Sequence, residues 1–267
     1  MALENPAFRS PAFTANSSVA NAVSVEELQD IYNRPTAGAA DTDRMTVEDT
    51  VVKSVVAFAV MLLGASLGWV TAATMPAIWM IAGVIGFVLA LVNIFKKEPS
   101  PALVLAYAAA QGVFVGAISA TYEAMWDGIV IQAVLATVAV VGVTLALFAS
   151  GKVRASKKAT KVFLIAMVGY LVFSVLNLVL TMTGAVSNPW GLRGDDLFNT
   201  GIPIGLVLGV LVVIMGAYSL VLDFDFIQRG VKNRAPRKFA WSGAFGIMVT
   251  VIWLYLEILR MFAIARD

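Results

Sequence analysis

Ile202-Pro-Ile-Gly-Leu-Val-Leu-Gly-Val-Leu-Val-Val-Ile-Met-Gly-Ala-Tyr-Ser-Leu-Val-Leu222, closed by Asp223-Phe-Asp225, is the stretch that decides the fold. It carries no charge until its end and is long enough to cross a bilayer as a helix, for which about 20 residues at 1.5 Å per residue suffice. A second run, Phe239 to Ala265, follows the basic segment Arg229 to Lys238 and holds Glu257 within it. A charged side chain in hydrocarbon costs roughly 2.5 to 3.5 kcal/mol on insertion scales, so acids in such runs mark function or a fixed partner.

Working outward, five more runs precede these two: Val51 to Ala73, Pro76 to Phe95, Ala102 to Thr121, Gly128 to Ser150 and Val162 to Gly184. The lengths fit helices rather than the alternating segments of about 10 residues that build a barrel. The chain is 60% hydrophobic and 13% charged, so lipid is the solvent for most of its 267 residues. The expected fold is all-α, a polytopic membrane protein with seven transmembrane helices.

Two domains are expected. Residues 1–49, with eight acids against Arg9, Arg34 and Arg44, read as a disordered cytoplasmic tail, and residues 50–267 as the seven-helix membrane domain. Within the tail, Ser24 and Glu27 form a capping-box pattern ahead of Val25, Leu28, Ile31 and Tyr32, which predicts a short amphipathic helix ending at Pro35.

Orientation follows from the basic residues, which collect on the cytoplasmic side. Lys96 and Lys97 follow the second span, five bases from Lys152 to Lys161 follow the fourth, and five from Arg229 to Lys238 follow the sixth; Arg193 is the single base in the other three breaks. The amino terminus is therefore expected in the cytoplasm and the carboxyl terminus outside. Small residues four apart, Gly64 and Gly68, Ala108 to Ala120, and Gly205 and Gly209, predict close helix packing within one bundle.

The chain has no Cys and no His, which removes thiol and imidazole chemistry and the usual zinc, copper and haem ligands. No Walker loop, dinucleotide fingerprint or hydrolase triad is present, so no enzymatic activity and no resident cofactor are expected. The net charge of +2 supports no nucleic-acid partner. What remains is the set of polar groups in the spans. Asp223 and Asp225 lie roughly 200° apart around a helix, so both cannot face one cavity; Asp223 is the deeper, and Asp225 is read equally well as an interfacial acid paired with the following bases. Glu257 lies roughly 27 Å along its helix, with Arg260 three positions on, which fits an ion pair at the outer interface as well as a cavity-lining acid. Gln111 and Asn177 are neutral polar groups at mid-membrane, suited to interhelical hydrogen bonds or, alternatively, to lining a pathway.

Three stretches resemble one family. Leu220-Val-Leu-Asp-Phe-Asp-Phe-Ile227, Trp241-Ser-Gly-Ala-Phe-Gly246 through Trp253-Leu-Tyr-Leu-Glu-Ile-Leu-Arg-Met-Phe262, and Tyr107-Ala-Ala-Ala-Gln-Gly-Val-Phe-Val-Gly116 are similar to segments of the Bax inhibitor 1 (transmembrane Bax-inhibitor-motif) family. With Asn5-Pro6-Ala7-Phe8 and Thr46-Val47-Glu48-Asp49, the resemblance is to its bacterial, actinobacterial-type branch, over residue 45 to the end. It implies a seven-helix bundle around one central helix in the bacterial plasma membrane, and a pH-gated calcium leak in which an acid ending the sixth span shares a proton with an acid of the seventh. Asp223 matches the first acid. For the second, aligning on Leu-Arg-Met-Phe262 brings up Thr250, whereas aligning on Leu-Tyr-Leu-Glu257 brings up Glu257; the first register leaves the helix end unshifted and replaces the partner acid. The second span, Pro76 to Phe95, also lacks the arginine that the family pattern carries there.

The function expected is a Ca²⁺ leak with proton sensitivity, in which Asp223 supplies the metal-facing oxygen, Asp225 or Glu257 assists, and Thr250, Gln111 and Asn177 are candidate pore-lining groups. Calcium takes oxygen ligands, and a chain without imidazole or thiol offers those. The bilayer, Ca²⁺ and protons are the expected partners. A non-conducting regulator that binds a membrane protease or another membrane complex through its acidic tail and the small-residue seams is the alternative. A proton-coupled exporter, which predicts inverted repeats, finds no internal repeat in this sequence.

Overall fold

The computed structural model describes Gln29, residues 42–197 and residues 200–267. The tail reading, including the helix from Ser24 to Pro35, lies outside the described residues except for Gln29 and the last few positions before α1. The compact unit runs from Asp43 to Asp267. Its helices are α1 (Val47–Thr71), α2 (Ile78–Phe95), α3 (Pro101–Met125), α4 (Ile129–Ala149), α5 (Lys157–Met182), α6 (Ile204–Lys232) and α7 (Ala240–Arg266), with single 3₁₀ turns at Gly191–Arg193 and Arg237–Phe239. All seven are long and apolar enough to cross a membrane. No strand forms among the described residues; two isolated bridges, Arg44 with Pro236 and Asp196 with Pro203, pin loops.

The boundaries depart from the apolar runs where polar residues continue a helix. α1 starts at Val47 rather than Val51 because Thr46, extended at φ −125°, caps it by accepting from the Asp49 N–H, with Glu48 and Asp49 in the positive first turn. α6 continues past Leu222 to Lys232. Arg229 bonds back to Asp225 one turn earlier, and Arg229 and Lys232 in the last turn complement the helix dipole. Asp223 and Asp225 are thus inside a helix, not at its end.

α7 is the central rod. It bears the most buried residues of these helices and is surrounded by α6, α1, α4 and α3, while α2 lies outside against α3. Glycine stripes set the close approaches. A Cβ on Gly64 of α1 would lie 2.6 Å from the Ala109 carbonyl oxygen of α3, and one on Gly116 of α3 would run into the Ala65 carbonyl of α1. In lipid, where water exclusion does not drive helices together, such backbone contact is the main source of packing attraction. Gly209 and Gly216 of α6 receive Met261 and Leu254 of α7 in the same way. The small-residue seams therefore lie within one bundle.

α5 differs from the others, having no buried residue. It is held by polar pins. At its start Tyr218 Oη of α6 meets Thr160 Oγ1 at 2.9 Å; toward its end Asn177 Oδ1 accepts from the Leu192 N–H at 2.7 Å, and Asn177 Nδ2 donates to the Trp190 carbonyl at 3.2 Å.

The ends are stitched by polar contacts. On one, Arg237 reaches Asp49 at 3.0 Å and Lys238 reaches Glu98 at 2.8 Å. On the other, Arg266 donates to the Asp127 carbonyl at 2.9 Å and Trp190 Nε1 to Asp267 at 2.8 Å. The first end carries the basic connections and the second the acidic ones.

Candidate functional site

Asp223 projects from α6 toward α7. Its Oδ2 accepts the Thr250 hydroxyl at 2.7 Å, and Thr250 Oγ1 lies 3.2 Å from Ser219 Oγ, one turn before Asp223. Because Thr250 has a single proton and gives it to the carboxylate, Ser219 is the donor to Thr250, which orders the chain Ser219, Thr250, Asp223. Thr250 is only 5% exposed, so the acid is addressed from the bundle interior. Gly246, one turn before Thr250 on α7, makes room: a Cβ there would lie 3.0 Å from Asp223 Oδ1.

Glu123 of α3 accepts from the Gly128 and Val130 N–H groups, and three further acids hold bases. Asp49 holds Lys53 at 2.6 Å and Arg237 at 3.0 Å. Asp225 holds Arg229 at 2.9 Å and borders a shallow cavity with Ser156, Lys157 and Lys161 at the start of α5. Glu257, 5% exposed, lies between two arginines: Oε1 accepts from Arg260 Nη1 at 2.7 Å and from the Tyr170 hydroxyl, and Oε2 faces Arg193 Nη1 at 3.4 Å. Among Asp223 and these three acids, Asp223 alone has a hydroxyl where the rest have a base.

Thr250 is thus the residue opposite Asp223, and Glu257 is not. Glu257 lies two turns further along α7, roughly 10 Å by helical rise, and faces α5 and the Gly191–Arg193 turn instead. The expectation that Asp225 or Glu257 assists Asp223 meets the same geometry: both are engaged by arginines, and neither is bonded to Asp223. Gln111 fills the seam over Gly86 of α2, where a Cβ would lie 2.6 Å from its Nε2. Asn177 anchors the Trp190 to Leu192 backbone and borders the cavity beside Glu257.

Arg193, Tyr170 and Ser219 complete these clusters without having been singled out from the sequence. Arg193 is 5% exposed although it belongs to a connection, and its Nη2 donates to Tyr170 Oη at 2.8 Å and Ser174 Oγ at 3.1 Å. One carboxylate and two hydroxyls meet at Asp223, fewer oxygens than the six to eight of a resident calcium site. Among the described residues no three acids converge on a point.

A family model described as Bax inhibitor 1 like matches residues 5–267. The chain belongs to the Bax inhibitor 1-like family. No curated protein matches it. As a Bax inhibitor 1-like protein it is a multi-pass membrane protein, built on seven apolar helices. Against the family pattern implied by the resemblance, this member has Thr250 where a second acid would stand opposite Asp223, and α2 contains no basic residue.

Proposed function

We propose that this Bax inhibitor 1-like protein is a cation leak of the bacterial plasma membrane, passing Ca²⁺ under proton control, with Asp223 as the group that meets the ion. The protein is not an enzyme in this reading. The observation that carries it is the pairing of Asp223 with the hydroxyl of Thr250 in place of a base. An intramembrane carboxylate without a cationic partner retains its attraction for a mobile cation, whereas an ion-paired one has spent it. The alternation of basic and acidic connections supports a cytoplasmic amino terminus and an outside carboxyl terminus, with Asp223 toward the cytoplasmic end.

In this state the Ser219, Thr250, Asp223 chain ties α6 to α7. Passage requires the tie to open, which exposes the carboxylate oxygens and two hydroxyls to a partly dehydrated ion. A single acid titrates as one proton, so flux rises with pH as Asp223 ionises and follows a one-proton curve rather than that of a shared diacid. Ca²⁺ flux into proteoliposomes tests this: Asp223→Asn should sharply lower flux and remove its pH dependence, and an unchanged variant refutes the assignment.

A second reading, a regulator that binds a membrane protease or another membrane complex, draws support from the lead-in to α1. Met45 N–H donates to the Ala235 carbonyl at 2.8 Å, Arg237 N–H to the Asp43 carbonyl at 2.9 Å, and Arg237 grips Asp49. A partner seated on the tail would pull on the α6–α7 connection. Deleting residues 1–41 separates the readings, since a leak keeps its flux and a tail-dependent regulator loses its partner in pull-downs.

A further inference from the structure

The cluster around Glu257 is left unused by the cation reading, and its charge does not balance. Arg193 and Arg260 bring two positive charges and Glu257 one negative charge. Asp267 accepts from Trp190 Nε1 and is bonded to neither arginine. A net positive charge in a low-dielectric setting is costly unless an anion accompanies it.

The cluster opens onto a cavity of about 640 Å³ between α5, α7 and the Trp190 to Arg193 segment, within the size range of ligand sites. The cavity is mixed in chemistry. Arg193, Arg260, Ser174 and Asn177 supply its polar groups, and Met167, Val168, Leu171 and Leu178, which alternate with Ser174 and Asn177 along α5, supply apolar ones. Because α5 buries no residue, the apolar part is flanked by surface that faces lipid. Arg260 is one-third exposed on its side chain and spends one N–H on Glu257, so its guanidinium has further donors for an incoming group. Arg193 is fixed by Glu257, Tyr170 and Ser174 and is set over the Tyr170 and Phe173 rings at 5.2 and 5.6 Å.

We propose that this cavity is a binding site for an anionic phospholipid. Its phosphate is held by Arg260 and Arg193 and one acyl chain lies along Met167, Leu171 and Leu178. Planar guanidinium donors match phosphate oxygens in pairs, and the surplus positive charge of the cluster favours an anionic headgroup over a zwitterionic one. Glu257 orients the two arginines and limits their charge so that one anion, not two, completes the site.

Native mass spectrometry of the full chain, purified from membranes containing phosphatidylglycerol and phosphatidylcholine, tests the site. The wild-type protein should retain one phosphatidylglycerol on the order of tenfold more strongly than phosphatidylcholine, and Arg260→Gln should lose that preference. Thermal unfolding gives an independent reading: phosphatidylglycerol should raise the Tm of the wild type and of Glu257→Gln, and leave that of Arg260→Gln unmoved. Equal retention of the two lipids, or unaltered retention by Arg260→Gln, overturns the proposal. A rise in Tm with inorganic phosphate alone that equals the rise with lipid overturns the lipid as occupant.

Discussion

Thr250 of α7 donates to Asp223 of α6 across 2.7 Å, which places a neutral hydroxyl against a carboxylate in the middle of the most intimate pairing that α7 makes with α6. The consequence is a tie that is strong when Asp223 is ionised, because hydrogen bonds to charged acceptors exceed neutral ones. It is also a tie that one added cation can replace.

Asp223→Asn keeps an acceptor for Thr250 and adds no bulk, so the bundle should remain folded while Ca²⁺ flux falls by roughly tenfold or more, equivalent to about 1.4 kcal/mol of lost attraction. Thr250→Asp should restore a second acid opposite Asp223. Two like charges at that spacing take up protons in separate steps, so the single-step dependence of flux on pH should split into two. Flux measured across a pH series checks both variants.

Glu257→Ala should be far more damaging to stability than to flux. It leaves Arg193 buried without its carboxylate, and breaking such a pair costs roughly 3 to 5 kcal/mol. Glu257→Gln, which keeps the acceptor for Tyr170, should cost less and conduct normally per folded molecule. Thermal unfolding beside flux separates the two effects; loss of flux in a well-folded Glu257→Gln would return this acid to the ion path.

Gly116→Ala should be poorly tolerated, since its Cβ would strike the Ala65 carbonyl of α1, a backbone atom that cannot step aside. A loss of roughly 3 kcal/mol or more is expected. Gly142→Ala is the control: nothing lies within 4 Å of a Cβ there, so the change should be neutral or gain up to about 1 kcal/mol from helix propensity. Melting temperatures of the two variants in one detergent decide it.

Glu98, in the connection between α2 and α3, has its carboxyl held below the ordinary range by the hydrogen bond and charge of Lys238. A depressed acid contributes its pairing above the unfolded value and loses it as pH falls through the folded one. Lys238→Ala should therefore return Glu98 to the ordinary carboxylate range, read from its carboxyl carbon shift during an acid titration.

The spans were legible because hydrocarbon demands about 20 apolar residues for each crossing and leaves little freedom elsewhere. The ends were less so: apolar runs mark where lipid stops, and α6 continues to Lys232 because Asp225 and Arg229 satisfy the helix beyond that limit. The register that sets Thr250 against Asp223 could be read from the chain terminus, as helical rise fixes Thr250 once Phe262 is aligned. Arg193 could not. A lone base in an acidic connection looks solvated. It enters the bundle only because Gly191, at φ +63°, turns the segment back under Asn177, where any side chain would collide with the Asn177 amide. Tyr170 and Ser174, ordinary residues of an apolar helix, acquire meaning from that return.

α5 resembles an outrigger more than a wall. Tied near its ends by Thr160 and Asn177, and between them by Tyr170 and Ser174 to the buried Arg193 and Glu257, it buries no side chain of its own, so hydrogen bonds rather than packing resist its tilt. A bilayer that shifted α5 would therefore be felt first by Arg193 and Glu257, through Tyr170 and Ser174.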